Sequence, residues 1–412
     1  MLQSALGIVV IILLAWALGE RRGRIGLRIV VAGLGLQFAI AAVMLKVPAL
    51  QGVFLWLNHA VLAVEEATRA GTSFVFGYLG GGTLPFEATS PSDTWIFAFR
   101  ALPIILVVSA LSALLYHWRI IPLIVRGFSL LLERSMGIGG ALGVGVAGNV
   151  FGGMIEAPLL IRPYLLRMSR GELFALMVSG MATIAGTMLV IYATLLRDIV
   201  PNALGQIITA SLISCPAAVL LALLMVPSDA EPTGGGAAPP SEASGSVDAV
   251  VRGTMDGITL LLAVTAMLVV FVAVVSLADQ ALGLLPHVAG EPLSFSRIAG
   301  WVLAPLAWLL GVPWSECTVA GGLLGTKVVL NEFLAYMQLA KLGPGALSEK
   351  SRVIITYALC GFANLGSMGI LVGGLSAMAP ERRAEVVALA PRSVLAGLLA
   401  TCMTGAVVGI LY

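Results

Sequence analysis

Two stretches of this chain decide its fold: IGGALGVGVAGNVFGGMIEAPLLIRPYLL at residues 138–166 and VPWSECTVAGGLLGTKVVLNEFLAYMQL at residues 312–339. Both begin with glycine and alanine at close intervals and then place one glutamate, Glu156 or Glu332, in apolar surroundings. Because glycine weakens a helix and lets backbones approach closely, each stretch predicts a helical hairpin that turns back inside a membrane.

A second interruption follows each of these stretches. The first is SGMATIAGT at residues 179–187, and the second is CGFANLGS at residues 360–367. Unwound backbone at membrane depth persists only where protein buries it or where it lines a cavity. Paired, glycine-interrupted segments in the two halves of a chain are typical of transporters with inverted repeats, whose binding site lies between the repeats. The pattern therefore predicts inverted repeats and two broken helices.

The composition excludes most soluble classes of protein. Among 412 residues, 59% are hydrophobic and only 11% are charged, whereas about a quarter of the residues of a soluble domain are charged. The formal net charge is +2, far from the basic excess of a nucleic-acid-binding protein. The four cysteines form no CxxC pair and the three histidines share no metal-like spacing, which argues against a disulfide scaffold and against a metal centre built on these residues. The chain is therefore predicted to be a polytopic membrane protein.

Apolar runs of about 20 residues, the length that spans a bilayer, recur along the chain. They lie near residues 2–18, 29–46, 95–116, 172–196, 203–226, 257–278, 352–375 and 391–412. The predicted fold class is thus an all-α polytopic membrane protein with eight transmembrane helices, two re-entrant helical hairpins and two broken helices, arranged as inverted repeats.

Basic residues indicate the orientation of these helices. Arginines at positions 21, 22, 24 and 28 follow the first apolar run rather than preceding it, which argues against a secretory signal and places this end of the helix in the cytoplasm. Under strict alternation, further basic clusters fall on the cytoplasmic side and an acidic group falls outside. The basic residues are Arg119, Arg126, Arg134, Arg162, Arg167, Arg170, Arg382, Arg383 and Arg392, and the acidic ones are Glu65, Glu66, Glu87 and Asp93. Both termini are then predicted to be periplasmic.

Composition also divides the chain into parts. Residues 227–250 begin with PSDAEPTGGGAAPPSEASGSV, a segment rich in proline, glycine and serine that is typical of a flexible linker, and we place it in the cytoplasm. The remaining parts are residues 1–135, N-terminal helices with an interfacial amphipathic helix at about 51–78; residues 136–226, the first hairpin, broken helix and following helix; residues 251–310, a scaffold helix and a periplasmic connection; and residues 311–412, the second hairpin, broken helix and C-terminal helix.

Each glutamate of the two hairpins admits two interpretations. An ionisable side chain in a membrane segment is costly unless it is paired or hydrated. Glu332 either forms an ion pair with nearby Lys327 or accepts hydrogen bonds from a polar ligand. Glu156 has no basic neighbour closer than Arg162, so it is either a protonated, buried hydrogen-bond donor or part of a ligand site.

Uncharged polar residues accompany the glutamates. Asn149 and Thr183 either cap and cross-link the broken helices or bind a ligand. Asn364 and Ser367 are three residues apart, on one face if the segment is helical, and together with a glutamate they offer several donors and acceptors to a hydroxylated ligand. The chain has no nucleophile elbow, P-loop or HExxH motif, so catalysis has little support.

Three motifs give this pattern a family resemblance: GNVFGGMIEAPLLIRPYL at 148–165, GTKVVLNEFLAYMQL at 325–339 and ITYALCGFANLGSMGI at 355–370. They resemble the concentrative nucleoside transporter family over nearly the whole chain. The resemblance implies eight spanning helices, two re-entrant hairpins, a homotrimer in a bacterial inner membrane, and elevator-like movement of a transport domain against a trimerisation scaffold. It also implies nucleoside uptake driven by sodium or, in some members, by protons, and no enzymatic activity.

The resemblance also assigns site residues in this chain. Glu332, Asn364 and Ser367 match the positions that hold the ribose hydroxyls, with Phe362 alongside. The implied sodium ligands are Asn149, Gly152, Thr183 and Ile184, the glycine and the isoleucine through their backbone oxygens. The remaining implied substrate contacts are Gly153, Met154, Ile155, Glu156 and Met188.

The first of these motifs departs from the family pattern. The first hairpin of the family normally reads G-Q-[TS]-E, in which the glutamine and the hydroxyl contact the nucleobase, whereas this chain has Gly153-Met154-Ile155-Glu156. Two substrates therefore remain open: ordinary nucleosides with an altered base preference, or a modified nucleoside or other ribosylated compound with a less polar aglycone. Coupling to protons instead of sodium is a further alternative. From other classes of protein, an intramembrane enzyme that uses Glu156 and Glu332 as an acid–base pair and a passive pore also remain open.

Overall fold

The fold is built from helices, as the sequence predicts. The computed structural model describes residues 1–20, 26–87, 96–197, 199–228, 231–235, 243–288, 290, 292–343 and 345–412, and within these ranges the chain forms helices and no β-strand. The helices are α1 (Leu2–Ala17), α2 (Leu27–Lys46), α3 (Pro48–Phe76), α4 (Phe97–Arg100), α5 (Ile104–His117), α6 (Ile120–Met136), α7 (Gly140–Asn149), α8 (Gly153–Leu160), α9 (Arg170–Ala182), α10 (Gly186–Leu196), α11 (Ala203–Met225), α12 (Ser246–Gly283), α13 (Phe295–Leu310), α14 (Cys317–Val329), α15 (Glu332–Lys341), α16 (Glu349–Leu359), α17 (Leu365–Met378) and α18 (Arg383–Leu411).

Many of these helices are long and apolar enough to cross a membrane. By length and composition, six such segments lie among the described residues: Leu27–Lys46, Phe97–His117, Arg170–Leu196, Ala203–Met225, Ser246–Gly283 and Pro380–Leu411. They coincide with six of the eight predicted spans. The other two differ, because α1 has only 16 residues and the predicted span at 352–375 is divided into α16 and α17. The total of eight spans stays a prediction.

The order of elements in the first half of the chain recurs in the second half. A single helix, α6 or α13, is followed by a pair of short helices, α7 and α8 or α14 and α15. Two further short helices separated by a break then follow, α9 and α10 or α16 and α17, and a long helix, α11 or α18, ends each series. That the two series are related by inversion, and that each helix pair is re-entrant, stay predictions.

The centre of the protein lies where these two series meet. Helix α11 packs against α9 and α18, and α18 also packs against α16. Hydroxyl groups cross the contact at one point, where the Ser214 Oγ and Thr404 Oγ1 atoms are 3.0 Å apart. All four cysteines are buried with free thiols, where they pack as small apolar side chains.

Helix α12 packs mainly against α5, away from that centre. A Cβ atom added at Gly253 would lie 2.6 Å from the Ala113 Cβ and 2.7 Å from the Ser109 carbonyl oxygen. The two helices can therefore approach this closely only because position 253 carries no side chain. Much of the apolar surface of α12 remains exposed in the single protomer, for example at Leu262 and Leu277.

Two predicted segments differ in detail from the structure. The predicted interfacial helix at about 51–78 is α3, and its location at a membrane surface stays a prediction. The predicted flexible linker, 227–250, already contains the first turn of α12. Within it Thr233 is buried, because its backbone N–H and its hydroxyl donate to the two carboxylate oxygens of Glu172, each at 2.8 Å.

Of the predicted orientation signals, the arginines at 21, 22 and 24 and Asp93 lie outside the described residues.

A cluster of charges joins the end of α1 to the starts of α9 and α18. The Arg170 Nη2 atom lies 2.9 Å from the Glu20 Oε1 atom, and the Arg392 Nη1 atom lies 2.6 Å from the same oxygen. Arg392 also donates to the Leu18 carbonyl at 2.7 Å. The hydrogen bond from Arg170, with the charges of both arginines, holds the pKa of Glu20 below its ordinary value, although partial burial opposes this.

We expect Glu20→Gln to lower the melting temperature of the protein modestly at neutral pH. Because the pKa of Glu20 is lower in the folded than in the unfolded protein, its stabilising contribution is fully present above the unfolded-state pKa of about 4.3 and is lost as the pH falls through the folded-state value. Thermal unfolding of both proteins in detergent, from about pH 7 to about pH 3, tests this. The difference in melting temperature should shrink at the acid end, and a constant difference would contradict the assignment.

Candidate functional site

The breaks between the short helices place polar side chains at helix N-termini. Glu332 is the first residue of α15, and the preceding Asn331 caps this helix by accepting a hydrogen bond from the Leu334 N–H at 2.9 Å. Asn364 caps α17 in the same way, accepting from the Ser367 N–H at 2.7 Å. Because a capped N-terminus orients its free N–H groups and its first side chains, both breaks are fixed rather than loose connections.

The Glu332 carboxylate joins three helices at one point. Its Oε1 atom accepts a hydrogen bond from the Tyr192 hydroxyl of α10 at 2.7 Å. Its Oε2 atom accepts one from the Asn364 Nδ2 atom at 3.0 Å. Glu332, Asn364 and Ser367, which the sequence assigns to one site, therefore lie together, and each is less than a tenth exposed.

Aromatic rings surround this carboxylate. The ring centroid of Tyr192 lies 4.9 Å from that of Tyr336 and 6.0 Å from that of Phe333. The Tyr336 hydroxyl donates to the Thr356 carbonyl at 2.8 Å, so this ring is held in place as well. Tyr192 is not among the site residues predicted from the sequence, although it lies four residues after the predicted contact Met188 and so on the same face of α10.

The ion pair between Lys327 and Glu332, one of the two interpretations of the sequence, is not formed between these two described residues. The Lys327 ammonium instead donates to the Ala358 carbonyl at 2.8 Å and to the Thr401 hydroxyl at 2.7 Å. The two side-chain partners of Glu332 are neutral groups. Because an ionised carboxylate accepts about four hydrogen bonds, it keeps acceptor capacity for a further donor.

A second polar group lies where the end of α7 meets the break between α9 and α10. The Asn149 Nδ2 atom donates to the Ser179 hydroxyl at 2.6 Å. The Thr183 hydroxyl donates to the Ser179 carbonyl at 2.9 Å and lies 3.3 Å from the Asn149 carbonyl oxygen. The Asn149 Oδ1 atom is buried and has no hydrogen-bond partner.

This unpartnered oxygen fits the predicted sodium ion. A buried acceptor without a donor is costly, and a hard cation would satisfy it together with nearby hydroxyl and carbonyl oxygens. Ser179 is not among the predicted members of this group, although it precedes Thr183 by one helical turn. Ile184 is fully buried beside Thr183, and Gly152 lies between α7 and α8. Coordination through their backbone oxygens stays a prediction.

The start of α8 docks directly on the break between α9 and α10. The Gly186 N–H donates to the Phe151 carbonyl at 3.0 Å. Gly153 has a φ of 84°, a left-handed conformation that favours glycine. A Cβ atom there would lie 2.9 Å from the Ala185 Cβ and 3.2 Å from the Glu156 Oε2 atom, so a side chain at position 153 would push the helix away.

The remaining predicted contacts surround this docking point. Met154 is buried where α8 crosses α9, and a Cβ atom added at Gly180 would lie 3.0 Å from the Met154 Cβ. Ile155 is half-buried against Gly374 of α17, at 3.3 Å from a Cβ added there. Glu156 differs from its buried-donor interpretation, because its side chain is exposed.

Met188 and Phe362 lie on the neighbouring elements. Met188 is buried in the first turn of α10. Phe362 is half-buried in the break between α16 and α17, where its carbonyl accepts from the Asn364 N–H at 2.8 Å. Met188 therefore follows the break that carries Thr183, and Phe362 lies in the break that carries Asn364.

Comparison with known protein families gives three matches along the chain. Residues 206–409 match the family described as the C-terminus of Na+ dependent nucleoside transporters, and residues 6–79 match the corresponding N-terminus. Residues 98–198 match a family described as nucleoside recognition. The three matches do not overlap and together account for most of the sequence.

Individual proteins are similar over the whole chain. A nucleoside permease NupC from Helicobacter pylori is 36% identical, over 99% of this chain and 97% of its own length. An uncharacterized transporter from Haemophilus influenzae is 38% identical, over 99% of this chain and 97% of its own. Sodium/nucleoside cotransporter 2 from Rattus norvegicus is 33% identical over 100% of this chain, which spans 63% of that longer protein.

Solved structures agree with these matches. The fold is similar to that of CNTnw in an inward-facing substrate-bound state, with a TM-score of 0.88 and 36% identity over 99% of this chain and 98% of the other. A variant of CNTnw in an intermediate state gives a TM-score of 0.90 over 100% of this chain and 98% of the other. With its helical fold and its sequence matched from end to end, the chain belongs to the family of Na+-dependent nucleoside transporters, which are transport proteins and not enzymes.

Proposed function

We propose that this protein imports nucleosides across a bacterial inner membrane by sodium-coupled secondary active transport. The observation that carries this proposal is the buried Glu332 carboxylate, which accepts one hydrogen bond on each oxygen from Tyr192 and Asn364. An ionised carboxylate accepts about four hydrogen bonds. Each oxygen therefore keeps room for one more donor, which suits the two adjacent hydroxyls of a ribose.

The sodium ion would bind at Asn149, and its effect on the substrate follows from the position of that residue. Asn149 ends α7, and α8 begins four residues later with the predicted substrate contacts Gly153 to Glu156. A cation that satisfies the Asn149 Oδ1 atom and the Thr183 hydroxyl would hold α8 against the break between α9 and α10. Binding to a site that is already ordered costs less conformational entropy, so sodium and nucleoside would strengthen each other's binding.

The proposed architecture completes the fold as the sequence predicts it. Eight spans result if α1 and the pair α16–α17 join the six long apolar segments, with both helix pairs re-entrant and both termini periplasmic. An elevator movement is supported by the separation of the α5–α12 pair from the helices around α11 and α18. The exposed apolar face of α12 suits a lipid-covered or trimeric assembly.

A modified nucleoside or another ribosylated compound is the second candidate substrate. It is favoured by the start of α8, where Met154 and Ile155 bring no side-chain donor or acceptor to the site. An apolar wall distinguishes ligands by only a few kcal/mol, whereas a site built to hydrogen-bond a group rejects ligands that lack it strongly. If this alternative is coupled to protons, Glu156, which is exposed, or Glu332, which is buried, is the candidate proton carrier.

Uptake by purified protein in proteoliposomes tests the proposal. An inward sodium gradient should drive accumulation of unchanged radiolabelled uridine above its external concentration. Equilibration without accumulation would indicate a passive pore, and appearance of free uracil would indicate an enzyme. Accumulation that does not depend on sodium but follows an imposed pH gradient would identify protons, and not sodium, as the coupling ions.

We expect Glu332→Gln to weaken nucleoside uptake about ten- to a hundred-fold, because a charge-assisted hydrogen bond is roughly twice as strong as a neutral one. Uridine uptake and equilibrium binding by the variant are the measurements. The matched control is Glu66→Gln, which makes the same change at an exposed position on α3 and should leave uptake unchanged. Wild-type uptake by Glu332→Gln would remove this residue from the site.

Asn149→Ala should raise the sodium concentration that gives half-maximal uptake by about ten-fold, because it deletes the unpartnered oxygen that faces the proposed ion. Ser376→Ala serves as control, since the Ser376 hydroxyl is another buried oxygen without a partner but lies on α17. Sodium titration of uridine uptake separates the two. An unchanged sodium dependence in Asn149→Ala would place the coupling ion elsewhere.

The double variant Met154→Gln with Ile155→Thr is expected to sharpen base selectivity and to strengthen binding of uridine. Both changes introduce hydrogen-bonding groups at positions that follow Gly153 in α8. Competition of uridine, adenosine and free ribose against labelled uridine measures the profile in both proteins. If the double variant folds and its profile matches the wild type, Met154 and Ile155 do not face the ligand.

A further inference from the structure

Lys327 is a completely buried cation that the proposed transport mechanism does not use. Its side chain has no exposed surface, and it lies in the last turn of α14, just before the break that leads to Glu332. Burying an ammonium is strongly unfavourable unless protein groups replace its water. The charge of this side chain therefore depends on the protein groups around it.

The ammonium joins three helices of the second half of the chain. It donates to the carbonyl of Ala358, in the last turn of α16, and to the hydroxyl of Thr401 on α18. The last carbonyls of a helix carry the negative end of its dipole, so a cation is stabilised there. The Glu332 carboxylate is not in direct contact, but the two charges attract each other electrostatically.

The first half of the chain has a corresponding place. There the end of α7 meets the end of α9, and Asn149 leaves a buried oxygen without a partner beside Ser179 and Thr183. In the second half the end of α14 meets the end of α16, and an ammonium group already occupies the contact. One contact therefore offers a buried acceptor without a partner, and at the other a cation of the chain itself donates to the carbonyl and hydroxyl groups.

We propose that the Lys327 ammonium is a permanent cation of the second half of the chain, at the position that corresponds to the proposed sodium ion at Asn149 in the first half. Its charge balances that of Glu332. The proposal rests on the sodium-coupled function above. It implies that the second half needs no exchangeable ion, so that one sodium ion accompanies each nucleoside. It also makes Lys327 a positioning residue, since it acts on the substrate through Glu332 and through the break between α16 and α17.

The first test removes the charge and keeps the length of the side chain. Lys327→Met should raise the KM for uridine at least about ten-fold, with a much smaller effect on the maximal rate. The control is Lys341→Met, which makes the same change at an exposed position of the same helix pair and should leave KM within about two-fold of the wild type. A wild-type KM in Lys327→Met would overturn the proposal.

The second test does not depend on transport. In a double-mutant cycle, the melting temperature of Lys327→Met combined with Glu332→Gln should exceed that of Lys327→Met alone, because the second change removes the charge left without its counter-ion. If Lys327→Met alone does not fold, the double variant should restore folding. A double variant that is no more stable than the single one, or that also fails to fold, would overturn the charge pairing.

The third test counts the coupling ions. Parallel fluxes of radioactive sodium and uridine into proteoliposomes should give one sodium ion per uridine in the wild type. Two or more would mean that a second exchangeable cation exists and would overturn the proposal. If the wild type shows no sodium-driven uptake at all, the proposed function fails, and the double-mutant cycle still decides whether the charge of Lys327 balances that of Glu332.

Discussion

One buried carboxylate connects helices from both halves of the chain. Glu332 stands at the start of α15 with almost no exposed surface, and an ionised group there is tolerated only with good partners. Its partners come from α10 and from the break before α17, elements far apart in sequence. The hydrogen bonds that satisfy Glu332 also hold these helices together. Because the carboxylate can accept further hydrogen bonds, the same group contributes to stability and to the proposed binding of ligand hydroxyls.

Breaks in the helices provide free backbone groups and helix N-termini in the interior of the protein, which continuous helices do not. A break exposes backbone groups and turns side chains into caps, as Asn331 and Asn364 show, and it gives a short helix an N-terminus in the interior. Glycine makes the close contacts tolerable: Gly153 in a left-handed conformation and Gly180 beneath Met154 both lie where a side chain would collide. The apolar helices α11 and α18 pack against the broken helices and help to bury their polar groups.

The sequence predicted more of the elements than of the contacts between them. Helical class, the two breaks and the grouping of Glu332 with Asn364 follow from local patterns and from the family motifs. Tyr192 and Ser179 were missed because their hydrogen-bond partners lie on helices that are distant in sequence. The hydrophobic periodicity of a single helix does not indicate which helices pack together. Proximity in sequence suggested an ion pair for Lys327, but the ammonium donates instead to a carbonyl of α16 and a hydroxyl of α18, which packing brings within its reach.

The decisive measurement is a structure with bound 5-iodouridine and sodium, in which the iodine is located by its anomalous scattering. We expect the ribose hydroxyls within hydrogen-bond distance of the Glu332 carboxylate and the iodine beside Ile155 at the start of α8. Ribose density elsewhere, with Glu332 still bonded only to Tyr192 and Asn364, would contradict it.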